Sequence, residues 1–225
     1  MIQNSINPNY ISGDNQKYMK MYDWMYPVYD LVEKVGGKLL YGNQVVEMRR
    51  EMISRLEWKD GLSVLVVSIG TGRDIEFIPK HIDTKSLTIT GADISEGMLK
   101  KCQKKFAKKL NLSLVQCCAE DLPFDDNAFD IVFSVGGFNF FNDKKRAVAE
   151  MMRVAKDSAK ILIADETNDL INKHYKHAGY TKKYFNDASV DLSEIENLMP
   201  TTERKTELLW KNRFYCITFR KSIKQ

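Results

Sequence analysis

The chain has 225 residues, 44% of them hydrophobic and 28% charged, and 34 basic side chains against 30 acidic ones leave a net charge of +4. That is enough apolar material for one core of ordinary or slightly large size, and too even a charge balance to mark a nucleic-acid-binding surface. Cys102, Cys117, Cys118 and Cys216 form no CxxC pair and lie far from His174 and His177, and no run approaches the length of a membrane span, so no metal site, disulfide framework or stable membrane insertion is expected, and a cytoplasmic location fits.

The first dozen residues, rich in Asn, Ser, Pro and Gly, read as loose. From Tyr18 to Val35 aromatic and apolar residues recur at helical intervals, with Pro27 able to open a second helix and Gly36-Gly37 able to end it. Asn43 to Trp58 is amphipathic through Val46, Met48, Met52, Ile53 and Leu56, and Lys59-Asp60-Gly61 is a turn. Residues 1–58 are thus a helical segment or lid belonging to the same domain as the core, residues 59–225. There the period changes. Leu62–Val67 is a short, almost continuously apolar run, as expected of a strand covered on both faces. A short helix over Asp74–His81 follows, then a strand over Leu87–Ala92 and a helix over Ser95–Lys109. Ser95 is a natural N-cap for that helix, and its basic KKCQKKFAKK cluster reads as a solvated face. Strands over Leu112–Cys117, Phe129–Val135 and Ala159–Ala164, with a helix over Asp143–Lys156, continue the alternation and imply a parallel sheet with helices on both faces. After a short helix over Leu192–Leu198, Thr202–Trp210 and Phe214–Arg220 are joined only by Lys211-Asn212-Arg213, which makes an antiparallel hairpin at the sheet edge.

The run Val64 to Asp74, VLVVSIGTGRD, takes a buried strand directly into a glycine turn. Ligands of open parallel sheets bind beyond the carboxyl ends of the strands, and glycine there lets backbone N–H groups approach them. Asp93, just past the next strand and about 20 residues further on, is positioned to accept both hydroxyls of a ribose. Nicotinamide cofactors and S-adenosylmethionine (SAM) both carry such a ribose. A GxGxxG fingerprint is missing, since position 75 is Ile, and the third strand ends in an acidic pair, Glu120-Asp121, able to reach an adenine amino group.

With these segments on the page, the chain resembles the class I SAM-dependent methyltransferases, through VLVVSIGTG, TITGADISEGMLKKC, AEDLPFDDNAFDIVFS and RAVAEMMRVAKDSAKILIADE. Within that class it is similar to the ubiquinone/menaquinone-biosynthesis group and its small-molecule relatives, through MYPVYDLVEK and GGFNFFND. The resemblance implies a Rossmann-like, seven-stranded, mostly parallel sheet with an antiparallel C-terminal hairpin and an N-terminal helical lid. It implies SAM as cofactor, S-adenosylhomocysteine as product and a small-molecule acceptor, quinone-precursor-like or lipid-like, in a monomer or homodimer that binds no nucleic acid. A SAM-binding protein without catalytic activity is the alternative. Ser68, Gly70 and Gly72 would wrap the methionine part, with Tyr29 also on the cofactor. Asp93 would take the ribose, Ile94 and Met98 would cover the adenine, and Glu120, Asp121 and Leu122 would line its edge. Ser134 and Gly136 would lie under the sulfonium. Tyr22, Trp24, Tyr26, Phe138, Asn139 and Tyr180 would meet the acceptor, and Tyr22, His174 or His177 would act as base if one is needed. Val66 stands where the family has an acidic residue, Ser68 where it has glycine, and Asp157-Ser158-Ala159 where it has Pro-Gly-Gly. The first departure calls for another acceptor for the ammonium of SAM: backbone carbonyls, a water or a carboxylate such as Asp30.

Overall fold

In the computed structural model the described residues are 1–31, 35, 42–176, 182–185 and 188–221, with only the backbone described at His174, Tyr175 and Lys183. Alternating strands and helices build one sheet of eight strands, ordered β1-β4-β3-β2-β5-β6-β8-β7. The strands are β1 (Ile2–Asn4), β2 (Ser63–Val67), β3 (Thr88–Asp93), β4 (Asn111–Gln116), β5 (Phe129–Val135), β6 (Ala155–Glu166), β7 (Lys205–Leu209) and β8 (Phe214–Arg220). The first six run parallel, and β8 pairs antiparallel with both β6 and β7. The count of eight corrects the expected seven. The addition is β1, in a stretch expected to be loose: it pairs Ile2 with Leu114 and Asn4 with Gln116, covering the edge of β4.

The main helices are α1 (Gly13–Leu31), α2 (Gln44–Ile53), α3 (Glu96–Phe106), α4 (Lys144–Val154) and α5 (Leu192–Asn197). Side-chain alternation along the buried strands decides which face each covers. Val64 and Val66 of β2 pack with Met48, Met52 and Ile53 of α2 and Leu99, Cys102 and Phe106 of α3. Leu65 and Val67 pack with Ala147, Val148 and Met151 of α4 and Ile195 of α5. Ser95 caps α3 as its residue type predicts, its Oγ accepting from Met98 N at 3.2 Å, and Asp143 caps α4 through Arg146 N at 2.8 Å.

Several boundaries differ from expectation for local reasons. Pro27 lies inside one continuous α1 rather than opening a second helix, while the expected Gly36-Gly37 break lies outside the described residues. The helix expected to run to Trp58 ends at Ile53, and Trp58 turns inward, its indole N–H donating to Ile53 O at 2.8 Å. Only a 3-10 turn, Arg73–Phe77, forms where a helix over Asp74–His81 was expected, since Pro79 supplies no N–H to continue it. β6 starts four residues early, with a register irregularity between Phe129 and Ile131 and Ser158 at φ +61°, where the resembled family has glycine.

Candidate active site

The order β4-β3-β2-β5-β6 changes direction at β2, which leaves a crevice beyond the carboxyl ends of β2 and β5. The chain leaves β2 through three left-handed residues: Ser68 (φ +57°), Gly70 (+55°) and Gly72 (+78°). The turn closes on itself, Gly72 N donating to Ile69 O at 2.9 Å. The end of β3 holds it in place: Gly70 N donates to Asp93 Oδ2 and Ser95 N to Asp93 Oδ1, both at 2.8 Å. Burial pushes the Asp93 carboxyl up to about 6, against the pull of those two N–H donors, and neighbouring Asp23 adds to the rise. Each oxygen of a carboxylate has a further lone pair, so Asp93 can accept two hydroxyls while still holding the turn.

A cavity with about 710 Å³ of empty space, part of it open to solvent, occupies the crevice, within the size range of small-molecule sites. Of the residues expected from sequence, Tyr22, Tyr29, Ser68, Gly70, Asp93, Ile94, Met98 and Gly136 line it. A Cβ added at Gly70 or Gly136 would meet no atom within 4 Å, so the backbone there is open to a ligand.

Among the described residues, the other expected ones do not line the cavity. Gly72 lets the turn pack on α3, because a Cβ there would come within 2.6 Å of Phe106 and 2.8 Å of Cys102. Glu120 is fully buried and accepts from Asn15 Nδ2 at 3.0 Å and Asp143 N at 3.2 Å. Asp121 accepts from Asn7 Nδ2 at 2.8 Å, and Leu122 N donates to Glu150 at 3.0 Å. The acidic pair thus braces the N-terminal segment and the start of α4. Ser134 is a buried β5 residue beside Val67. Phe138 is in the core under α4. Asn139 bridges Glu166 O at 2.9 Å and the Tyr215 hydroxyl at 2.8 Å. Trp24 is 68% exposed and does not line the cavity. Tyr26 lies on α3, where a Cβ at Gly97 would come within 2.5 Å of its ring. His177, Tyr180 and the His174 side chain lie outside the described residues.

α1 roofs the crevice. Tyr18, Met21 and Met25 pack with Phe140, Ile171 and Phe185, the Tyr18 and Phe140 rings lying 4.3 Å apart. Tyr22 and Tyr29 meet edge to face at 6.0 Å. Burial, with Tyr29, Glu166 and Asp165 nearby, raises the Tyr22 hydroxyl well above the usual phenol value. Below the roof, Asp165 shapes the turn after β5: its Oδ2 accepts from Gly137 N at 2.9 Å and Asn139 N at 2.8 Å. Sequence reasoning missed Asn15, Tyr18, Arg49, Thr71, Asp74, Phe140 and Phe141, all of which line the cavity. The one usable signal was Asp74, a carboxylate directly after the glycine turn; Arg49 reads as an ordinary charge on an amphipathic helix.

Residues 65–163 match the family described as a methyltransferase domain. The chain is 37% identical over 123 residues to the ubiquinone/menaquinone biosynthesis C-methyltransferase of Shewanella piezotolerans, a match covering 52% of this chain and 49% of that relative. It therefore spans about half the length of the curated relatives it matches in this way. Among solved structures, one described as a putative S-adenosyl-L-methionine-dependent methyltransferase from Methanococcus maripaludis superposes with a TM-score of 0.64 at 20% identity, covering 95% of this chain and 96% of that one. Residues 65–163 thus match a methyltransferase domain, and the chain has the fold of the SAM-dependent methyltransferases it superposes on. The fold alone does not specify the reaction: the [4+2]-cyclase SpnF superposes on this methyltransferase domain with a TM-score of 0.68 at 15% identity, covering 93% of this chain and 97% of that one. Among the described residues no His/Cys/Asp/Glu group could hold a metal ion, and no helix is long and apolar enough to cross a membrane.

Proposed function

We propose that this protein is a SAM-dependent methyltransferase acting on a small, largely apolar acceptor of the quinone-precursor or lipid-like kind. The observation that carries the reading is one cavity lined by two chemistries: the glycine turn with the Asp93 carboxylate, and the rings of Tyr18, Tyr22, Tyr29, Phe140 and Phe141. The first suits the ribose and sulfonium end of SAM, the second an aromatic or acyl acceptor. The names of the curated relatives support the quinone-like class.

When bound, SAM supplies an activated methyl group and its own leaving group. The chain's part is to hold donor and acceptor in line and to exclude water. Asp93 holds the ribose, and Ile94 and Met98 cover the base. α1, as the lid over the core of residues 59–225, closes an aromatic wall over the acceptor. Tyr22 stays protonated at neutral pH, so its role is to donate a hydrogen bond to the acceptor rather than to remove a proton. Where the acceptor must lose a proton, His174 and His177 are the candidates. A cytoplasmic location is part of the proposal, supported by four buried free thiols.

The test is incubation with SAM and reduced naphthoquinols, benzoquinols, phospholipids and amines, read by mass spectrometry. A methylated quinol is the expected product. A methylated amine alone would move the acceptor class, and failure to bind S-adenosylhomocysteine by calorimetry would overturn the site.

A further inference from the structure

α1 has a face that neither the core nor α3 takes up. Tyr18, Met21 and Met25 pack into the apolar cluster beneath the helix, and Tyr22 and Tyr29 line the cavity. Asp23, Tyr26 and Asp30 turn toward α3 and the glycine turn: Asp23 accepts from the Ser95 hydroxyl and Gly97 N, the Tyr26 ring packs on Gly97, and Asp30 accepts the Thr71 hydroxyl. Lys20, Trp24, Val28 and Leu31 remain, spaced as one stripe of a helix. Trp24 is 68% exposed, Val28 48% and Leu31 65%, and Val35, four positions on, is 47% exposed. Of the six exposed large apolar side chains among the described residues, four thus fall in this one stretch, and a concentration of that kind marks a contact surface.

The neighbouring surface is basic. Lys101 Nζ donates to Pro27 O at 3.1 Å, which seats α1 against α3. The outward side of α3 and the residues after it are the KKCQKKFAKK run. Lys100, Lys101 and Lys105 pair with Glu96, Asp30 and Glu76. Lys104, Lys108 and Lys109 are exposed and carry no ion pair among the described residues. Since Asp23 and Asp30 point inward, the outer stripe of α1 from Lys20 to Leu31 is apolar with a basic flank and no carboxylate. A purely apolar partner would leave the lysines unanswered, and a purely acidic one would leave Trp24 and Leu31 in water. An anionic lipid surface answers both, because it sets negative headgroups directly over hydrocarbon, and a tryptophan ring settles at that boundary.

We propose that the outer face of α1, with the lysine row of α3 beside it, docks this protein on an anionic lipid surface, lying on the surface rather than spanning it. Trp24 and Leu31 enter the headgroup boundary, while Tyr22 and Tyr29 of the same helix line the cavity beneath. The docking face stands on its own residues. Its purpose, to give an apolar acceptor a path to the cavity without crossing water, rests on the function proposed above.

Co-sedimentation of the full chain with vesicles tests it. Vesicles of phosphatidylglycerol and phosphatidylcholine in equal parts should bind the protein about ten-fold or more tightly than phosphatidylcholine alone, and added salt should weaken that binding. Trp24→Ser with Leu31→Ser should cut binding to the mixed vesicles about ten-fold or more, and Lys104→Glu with Lys108→Glu should remove the preference for them. Both double variants should bind S-adenosylhomocysteine as the native protein does, which shows that they fold. The tryptophan emission should shift to the blue on mixed vesicles, and Trp24→Phe should lose that shift while still binding. Binding to neither vesicle overturns the proposal, as does binding that both double variants keep. A native dimer that Trp24→Ser with Leu31→Ser dissociates, with no vesicle binding, would assign the face to a second copy and overturn it as well. Vesicle binding without methyl transfer to any quinol or lipid would keep the docking face and overturn the acceptor class, and methyl transfer without vesicle binding would do the reverse.

Discussion

Ser68 is the residue where the glycine turn departs furthest from an easy backbone. Its φ of +57° suits glycine and carries a cost for a residue with a Cβ. The side chain finds room because the neighbouring residue across the crevice is glycine: a Cβ at Gly137 would come within 2.8 Å of both Ser68 Cβ and Oγ. The two positions are therefore coupled. Gly137→Ala should destabilise the protein, and less so in a Ser68→Gly background, with a coupling on the order of 1 kcal/mol in a urea double-mutant cycle. Strict additivity would show that the two side chains relax apart. Asp93 makes a second prediction at this scale. Its carboxyl titrates near pH 6 in the free protein, and two ribose hydroxyls prefer the ionised form. Below about pH 6 ligand binding must expel a proton, so S-adenosylhomocysteine affinity should fall as pH drops, by about ten-fold per unit at most, and be level above about pH 7. Calorimetry from pH 5 to 8 checks this. Asp93→Ala should remove the slope and most of the affinity, whereas Glu96→Ala, which loses only an exposed pair with Lys100, should do neither.

At the scale of elements, α1 is held over the crevice by polar ties at two heights. Asp23 accepts from the Ser95 hydroxyl at 2.5 Å and Gly97 N at 3.1 Å, placing a carboxylate at the N-terminus of α3, where the helix dipole favours it. Asp30 holds Thr71 of the glycine turn. The same helix thus ties to the segments that follow both β2 and β3. Asp23→Asn combined with Asp30→Asn should loosen α1 and speed tryptic cleavage at Lys17 and Lys20 several-fold, with S-adenosylhomocysteine restoring part of the protection. Unchanged cleavage would mean that the apolar cluster of Tyr18, Met21 and Met25 holds α1 by itself.

At the scale of the whole molecule, the sheet is closed at each edge by a late or early addition. The β7–β8 hairpin covers β6 on one side, and three residues of β1 cover β4 on the other. An uncovered parallel edge is a template for pairing between molecules. Removing residues 1–5 should lower the urea midpoint modestly and raise self-association, read by light scattering at increasing concentration. No change in association would show that Asn7 and Asp121, bonded at 2.8 Å, protect the edge without the strand.

Local chemistry was enough to place most of this fold. A buried strand such as Ser63–Val67 is apolar on both faces whatever surrounds it, the α3 stripe of Met98, Leu99, Cys102 and Phe106 repeats at the helical period, and Ser95 caps by its own side chain. The glycine turn and Asp93 were legible for the same reason, since their backbone demands lie within a few residues. Tertiary structure alone decided the rest. Ile2–Asn4 has no strand signal and becomes a strand because β4 offers an edge. Glu120 and Asp121 carry the charge expected of a ligand-facing pair, and Asn15 and Asn7, more than 100 residues away, each donate to one of their oxygens. Arg49 and Asp74 are 25 residues apart, and nothing in either stretch announces the other. A sequence states which groups carry charge and hydrogen-bonding capacity; which groups meet is set by the packing of α1 and α2 over the strand ends, where the chain brings distant segments to one wall.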